Sequence, residues 1–330
     1  MVLFVTGVCD RSCFYCPLSE KRKGLDVVYA DEFLVGEDLD LILEGRSIDA
    51  EGTGITGGDP ILRLNRTLRY IKLLKDFFGN DHHIHLYTNG RYLARESLLK
   101  LKGAGLDELR LHPDSGDWEK IALAKELGIC TGVEVPAIPG SEESIKELIG
   151  HMAAAKADFL NLNELEFCPP NAYQLKQRGF KLKNESMAAV EGSEEAALAI
   201  VSWARSEGME LPIHYCSSST KDAIQTSKRI RRRGKNVARP YEGVTREGLL
   251  SKYRVEPPDG NGRNLKARIV SNLCIPPYLV GVSQDGLAVE TSRQLVQQVS
   301  LLSHSSKISY VEEYPTANRE KFAEYPFNYP

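Results

Sequence analysis

Cys9, Cys13 and Cys16 place three thiols within eight residues, in the spacing CxxxCxxC. Thiolates at that density are soft ligands, suited to iron-sulfur clusters, zinc or copper and poorly matched to magnesium or calcium. Their number matters as much as their type. A structural zinc site is closed by four protein ligands, and an electron-carrying cluster usually takes four cysteines, so three leave one position open for chemistry. Three cysteines also suit a zinc knuckle that borrows a distant ligand. Such a loop needs a rigid support, and the apolar run Val2, Leu3, Phe4, Val5 just before it reads as a buried strand.

Further along, β-like runs alternate with helix-periodic ones, which predicts a parallel sheet built from seven strands. A helix is expected over Asp31 to Leu43, then the glycine-rich run Gly52 to Pro60 as the second strand and its exit. The next helix carries Leu64, Leu68, Ile71, Leu74 and Phe78 near a 3.6-residue period. Strands follow at His83–Thr88, Leu106–His112, Thr131–Val135, Phe159–Leu165 and Leu211–Ser217. The helices between them include one capped by Asp114 or Ser115 and ending at Gly128, one capped by Ser141, and one over Glu194 to Glu207. Repeated units of this length predict an α/β fold, a partial or complete (β/α) TIM-like barrel. In such barrels the active site is built at the carboxyl ends of the strands.

That rule selects the polar residues of interest. Gly57-Gly58-Asp59-Pro60 leaves the second strand at the same end as the cysteines: paired glycines let backbone approach a ligand, and Asp59 can accept from an ammonium group. Thr88-Asn89-Gly90 ends the third strand. Glu134 and Pro136, with Asn161 and Asn163, are polar or irregular groups where a buried parallel strand is usually apolar.

CxxxCxxC with the aromatic Tyr15 before its third cysteine resembles the signature of the radical S-adenosylmethionine superfamily. The resemblance covers residues 2 to 219, and within the superfamily it is greatest to an uncharacterised, largely archaeal group related to pyruvate formate-lyase activating enzymes. It implies that Cys9, Cys13 and Cys16 bind three irons of a [4Fe-4S] cluster while S-adenosylmethionine chelates the fourth. Reductive cleavage would then give methionine and a 5'-deoxyadenosyl radical that abstracts a substrate hydrogen. Gly57, Gly58 and Asp59 are similar to the GGE motif that holds the methionine end, with Asp in place of Glu. Tyr15 is expected near the adenine, with Asn89 and Glu134 as further cofactor contacts. A ferredoxin- or flavodoxin-like electron donor is implied as a partner.

Length and composition, 330 residues with 42% hydrophobic and 26% charged, allow one core of barrel size and a small appendage. No apolar run is long enough to span a membrane, and Val2 to Val5 lacks the flank and length of a signal peptide, so a cytoplasmic enzyme is expected. Seven cysteines, an odd number with three clustered, suit reduced thiols and a metal site. The chain opens directly on its first strand, which leaves room for an upstream element outside this sequence.

Cys168 and Cys216 fall near the catalytic end and could ligate a second cluster or act at the substrate. His82-His83-x-His85 resembles a metal run, but it opens a strand at the opposite end, where a structural or exposed role is expected. The connection from Leu165 to Gly192 is 28 residues long, the length of a lid or binding loop. Lys221 to Arg239 holds eight cations against Asp222, a net +7 in a chain whose formal total is -3. Such segregation could meet transfer RNA; a solvated basic helix is the simpler expectation.

Two domains are expected, 1–253 for the barrel with the basic helix at 221–239, and 254–330 for a linker and a small α+β extension. That extension should hold a hairpin turning at Ser283 to Gly286, a helix over Arg293 to Leu302 and a strand near Ile308 to Glu312. Three functions stand open: hydrogen abstraction from a protein or peptide, radical modification of transfer RNA or another nucleic acid, and a non-catalytic protein stabilised by zinc or a cluster.

Overall fold

Val2–Phe4 forms β1, and its carboxyl end opens into the cysteine loop. The computed structural model describes residues 1–220, 224, 226–303 and 305–327. They divide into two units, Met1–Arg46 with Ala50–Ile224, and Ser47–Asp49 with Gln225–Pro330. In the first unit the remaining parallel strands are β4 (Gly52–Thr56), β5 (His83–Thr88), β6 (Glu108–Leu111), β7 (Cys130–Ala137), β8 (Phe159–Glu164) and β9 (Ile213–Cys216). β2 (Tyr29–Ala30) and β3 (Phe33–Leu34) form a short antiparallel edge on β1. The hydrogen-bonded order runs β3-β2-β1-β4-β5-β6-β7-β8-β9. The seven expected strands are therefore present in sequence order, and among the described residues β9 does not close on β1. The fold is a partial (β/α) barrel.

Helices α1 (Asp38–Ser47), α2 (Leu64–Phe78), α3 (Arg95–Ala104), α4 (Glu119–Glu126), α5 (Glu142–Ala154) and α7 (Ser193–Ser206) connect these strands. One face of the sheet packs on them through Ile84, Leu86, Leu109, Leu111, Val133, Leu160 and Leu162, all fully buried. The other face is polar: His83, His85 and Tyr87 alternate with that apolar set on β5, as Glu108 and Arg110 do on β6. Parallel strands are commonly apolar on both faces. Here the inner face carries the polar residues that the sequence singles out.

One expectation about this unit is corrected. Asp31 to Leu43 does not begin a helix: Asp31 takes a left-handed φ of 51° and accepts from Val2 N at 3.0 Å, turning β2 into β3. The helix starts at Asp38, after Asp40 Oδ2 has accepted from the backbone of Gly36 and Glu37. The long connection also carries structure of its own, α6 (Ala172–Gln177) and the bridges Glu166 to Ala189 and Leu182 to Val190. The single turn α8 (Ser218–Thr220) follows β9 and gives Glu164 two hydrogen bonds from Ser218.

The second unit begins with α9 (Ser227–Val237), the core of the expected basic stretch; Lys221 and Asp222 lie outside the described residues. Arg233 is buried, with Nε donating to Pro315 O, and Arg239 donates to Tyr241 Oη. Part of the charge is thus spent inside the unit. An antiparallel sheet follows, β12-β13-β11-β14-β15, with β10 (Gly243–Val244) also on β11. Its strands are β11 (Leu250–Glu256), β12 (Val280–Val282), β13 (Val289–Thr291), β14 (Lys307–Glu313) and β15 (Lys321–Pro326). α10 (Gly262–Asn272) and α11 (Val296–Leu301) cover it through Leu265, Ile269, Val296 and Val299. β11 lies between β13 and β14, so a domain boundary at 253/254 falls inside a central strand. The hairpin around Ser283 to Gly286 and the strand after residue 307 are where they were expected.

Candidate active site at the carboxyl ends of the strands

Gly7 lets the chain leave β1 under the turn at residues 19–25: a Cβ there would sit 1.6 Å from Arg22 O. Gly7 N donates to Leu25 O, and Gly24 N returns a bond to Gly7 O, both at 2.8 Å. The loop then presents Cys9, exposed, with Cys13 and Cys16 half-buried. Cys16 N donates to Cys13 O at 3.1 Å, which curls the end of the run into a turn. Burial, aided by Asp59, Asp10 and Cys13 nearby, pushes the Cys9 thiol above its ordinary range. Metal uptake there must therefore displace a proton.

The loop is held by residues that follow β5 and β6. Arg11, inside the cysteine run, donates to His112 O at 2.7 Å and to Asn89 O at 3.3 Å. It also pairs with Asp114 at 3.0 Å and Asp117 at 3.2 Å. Asp10 accepts from Asn89 Nδ2 and from Arg91 Nη1, each at 3.0 Å. Asn89 is thus present at the site, and its amide is used to hold Asp10.

Gly57 and Gly58 bring the exit of β4 against the cysteine loop. A Cβ on Gly57 would lie 2.4 Å from Thr6 O, and one on Gly58 2.3 Å from Val8 O. In return Gly58 N donates to Thr6 O at 2.7 Å and Asp59 N to Val8 O at 2.8 Å. The Asp59 carboxylate is 1% exposed and accepts from Ile61 N, Thr88 Oγ1 and Asn89 N at 2.9 to 3.0 Å. It caps the turn Pro60–Arg63 and pins the end of β5. Burial raises its pKa against the pull of those bonds.

Tyr15 reaches the end of β6, where its Oη lies 2.7 Å from His112 Nε2. The other ring nitrogen, Nδ1, is 2.8 Å from Glu134 O, a group that can only accept. Nδ1 therefore carries the proton and Tyr15 donates to Nε2. Burial, with the Cys13 thiol beside it, pushes the Tyr15 phenol up, and burial holds His112 below its ordinary value. Sequence reasoning missed His112 and Arg11. The cation inside the cysteine run and a histidine at a strand's carboxyl end were the available signals.

Glu134, on the polar face of β7, accepts from Arg110 Nη1 at 3.2 Å, Asn161 Nδ2 at 3.1 Å and Asn163 Nδ2 at 2.8 Å. The polar set on β7 and β8 is thus one connected network. The long connection clasps the cysteine loop from outside. Asn171, 2% exposed, donates to Tyr15 O at 3.0 Å, and the Phe180 ring stacks on Phe14 at 6.1 Å. Leu165, Leu175 and Val190 complete a small apolar cluster there. Burial, then Glu166 and Cys16, push the Cys168 thiol up. Among the described residues the one converging set of three ligating side chains contains no cysteine, neither Cys168 and Cys216 nor Cys9, Cys13 and Cys16.

None of the seven cysteines forms a disulfide, and three of them share one braced loop at the carboxyl ends of the strands. That donor set fits a cluster that leaves one iron to a small-molecule ligand. A sequence profile of the radical SAM superfamily matches residues 3–135. The chain is 39% identical over 341 aligned residues, 96% of its length and 87% of the relative's, to "Putative glycyl-radical enzyme activating enzyme MJ0021" of Methanocaldococcus jannaschii. It is 30% identical to a GTP 3',8-cyclase of Synechococcus sp. (strain CC9902) over 48% of this chain and 42% of that one. Among solved structures it is similar to Streptococcus suis SuiB bound to precursor peptide SuiA, with 13% identity and a TM-score of 0.48, covering 68% of this chain and 50% of that one. The chain thus spans about half the length of that structure. Likeness at 39% identity along nearly the whole chain, together with the cysteine loop, places this protein in the radical S-adenosylmethionine superfamily, whose members use a [4Fe-4S] cluster and S-adenosylmethionine.

Proposed function

We propose that the protein is a radical S-adenosylmethionine enzyme that abstracts hydrogen from a protein or peptide, in the manner of an activase for a glycyl-radical enzyme. The observation that carries this reading is the 39% identity, over 96% of the chain, to a relative described as such an activase. The clasp supports it. The segment bound to the cysteine loop exposes Tyr173, Leu182 and Met187, with Met187 99% exposed, and such apolar groups beside a radical site suit a macromolecular substrate.

When bound, the cluster and S-adenosylmethionine supply the electron transfer and the hydrogen-abstracting chemistry. The chain's own residues have separate tasks. Cys9, Cys13 and Cys16 hold the irons, with Arg11, Asp10 and Asn89 fixing their loop. Gly57, Gly58 and Asp59 shape the segment beside it for the methionine end, and Asp59 acts by anchoring this segment. Tyr15, held by His112, offers its ring, and Glu134 with Asn161 and Asn163 forms the polar floor. A ferredoxin- or flavodoxin-like protein in the cytoplasm would supply the electron.

The test is an anaerobic assay of reduced, cluster-loaded protein with S-adenosylmethionine and a glycyl-radical enzyme encoded in the same genome, read by 5'-deoxyadenosine and by a glycyl radical signal. Both should form and both should vanish with Cys13→Ala. 5'-Deoxyadenosine without a protein radical would end the activase reading. The nucleic-acid reading then depends on salt-sensitive transfer RNA binding that charge reversal at the exposed Lys228, Arg231 and Lys235 abolishes. Zinc in place of a cluster, with no 5'-deoxyadenosine, would leave a binding protein.

A further inference from the structure

A second cluster of ligating side chains lies at the opposite end of the same sheet. His83 and His85 are two residues apart on β5 and share its polar face, with ring centroids 5.7 Å apart. Glu108 is the register partner of His85 on β6. One donor atom from each of the three lies within 4.8 Å of the other two. His82 is not part of the group: it turns to the other face, where Nε2 is 2.8 Å from Thr53 Oγ1 and the ring stacks on Phe78.

The chemistry of each side chain is poised for a cation. His85 packs its Nε2 over Gly54, its partner on β4, where a Cβ would come within 2.6 Å. Its Nδ1 is buried and has no hydrogen-bond partner among the described residues. A buried polar nitrogen left without a partner is unusual and destabilising, and it points to a ligand. Glu108 Oε1 accepts from Arg110 Nε at 2.5 Å, and its Oε2 lies within 3.7 Å of His83 Nε2. Arg110 and the amino terminus are positive charges nearby, and both Glu108 and Glu134 pair with Arg110. Burial first, then Arg110, His83 and the amino terminus, push His85 down to about 3, so its ring offers a lone pair at neutral pH.

We propose that His83, His85 and Glu108 bind a divalent first-row transition ion such as Zn2+ at the amino-terminal mouth of the sheet. Two imidazoles and a carboxylate form a zinc-type donor set, and exposed His83 leaves the remaining position to water. Ligands at about 2.1 Å in tetrahedral geometry sit about 3.4 Å from one another, so donors already within 4.8 Å need shifts of an ångström or so. The site lies roughly 10 to 17 Å along β5 from the Thr88 end, so its task is to tie β5 to β6 rather than to take part in the radical reaction.

The test uses protein with its iron-sulfur cluster intact, dialysed anaerobically against buffered Zn2+ and analysed for zinc and iron. One equivalent of zinc is expected beyond the cluster iron, and the thermal midpoint should rise with zinc concentration. His83→Gln and Glu108→Gln should each weaken binding by at least about tenfold and remove the thermal shift, with iron content unchanged. The Cys9→Ala/Cys13→Ala/Cys16→Ala protein loaded with Co2+ should show a visible spectrum without thiolate charge transfer. The proposal is overturned if no such equivalent binds, if both variants bind as the parent does, or if the cobalt spectrum carries a thiolate band lost in Cys130→Ser.

Discussion

The two ends of β5 treat polar groups in opposite ways. At Thr88 and Asn89 every such group named above has a protein partner: Thr88 Oγ1 and Asn89 N bind Asp59, Asn89 Nδ2 binds Asp10 and Asn89 O receives Arg11. At His83 and His85, a buried imidazole nitrogen has none among the described residues. The carboxyl end therefore spends its hydrogen bonds on positioning the loop that carries the three thiols. The amino end leaves its donors facing one another. A braced loop suits a cofactor that must be oriented, whereas converging side chains suit a bare ion.

The largest effect expected is at the carboxyl end. Cys13→Ala should abolish stable cluster loading and reduce 5'-deoxyadenosine to background, while zinc binding at His83, His85 and Glu108 persists. If both were lost together the two ends would be one cooperative site, and the comparison would fail.

Much of this end was legible in the sequence, because covalent neighbours carry it. Cys9, Cys13 and Cys16 share one loop, and the period-two and 3.6-residue patterns fix which ends the loops leave. Partnerships across strands were not legible. Asp59 looked free to accept from a cofactor because its partners, Ile61, Thr88 and Asn89, are brought to it by folding. The helix read over Asp31 to Leu43 missed the left-handed turn at Asp31, which depends on a bond to Val2 N. The boundary at 253/254 followed a proline- and glycine-rich stretch after Glu256, while β11 is defined by pairing with β14, about 55 residues downstream.

Asp59 gives the next largest effect. Asp59→Ala removes the acceptor for three buried donors and should lower stability by roughly 2–4 kcal/mol, read by thermal unfolding, with loss of cluster content. An Asp59→Asn protein with unchanged thermal stability but weakened S-adenosylmethionine binding would instead assign the carboxylate to the cofactor. Arg11→Ala should follow at roughly 1–3 kcal/mol, since it frees Asn89 O and His112 O and unpairs Asp117, whose side chain is 18% exposed. Arg11→Lys restores charge without the fork, and should recover only part of the loss.

The smallest effect separates the two ends by pH. His85 and His112 are both held below the ordinary 6.5 in the folded protein, His85 to about 3. Between the folded value and 6.5 the unfolded chain binds more protons than the native one, so stability rises with pH across that window and is lost on acidification below 6.5. The slope is at most about 1.4 kcal/mol per pH unit for each group. The groups facing His85 are Arg110, His83, the amino terminus, Glu108 and Tyr87; those facing His112 are Glu134, Arg11, Asp114 and Tyr15. Urea unfolding between pH 5 and 6.5 should flatten in His85→Gln and, separately, in His112→Gln. Adding Zn2+ should raise the stability of the parent and of His112→Gln throughout this window, where the native His85 ring is already neutral and free to bind the ion. His85→Gln should not respond. Equal zinc response in both variants would mean that the amino end holds no ion.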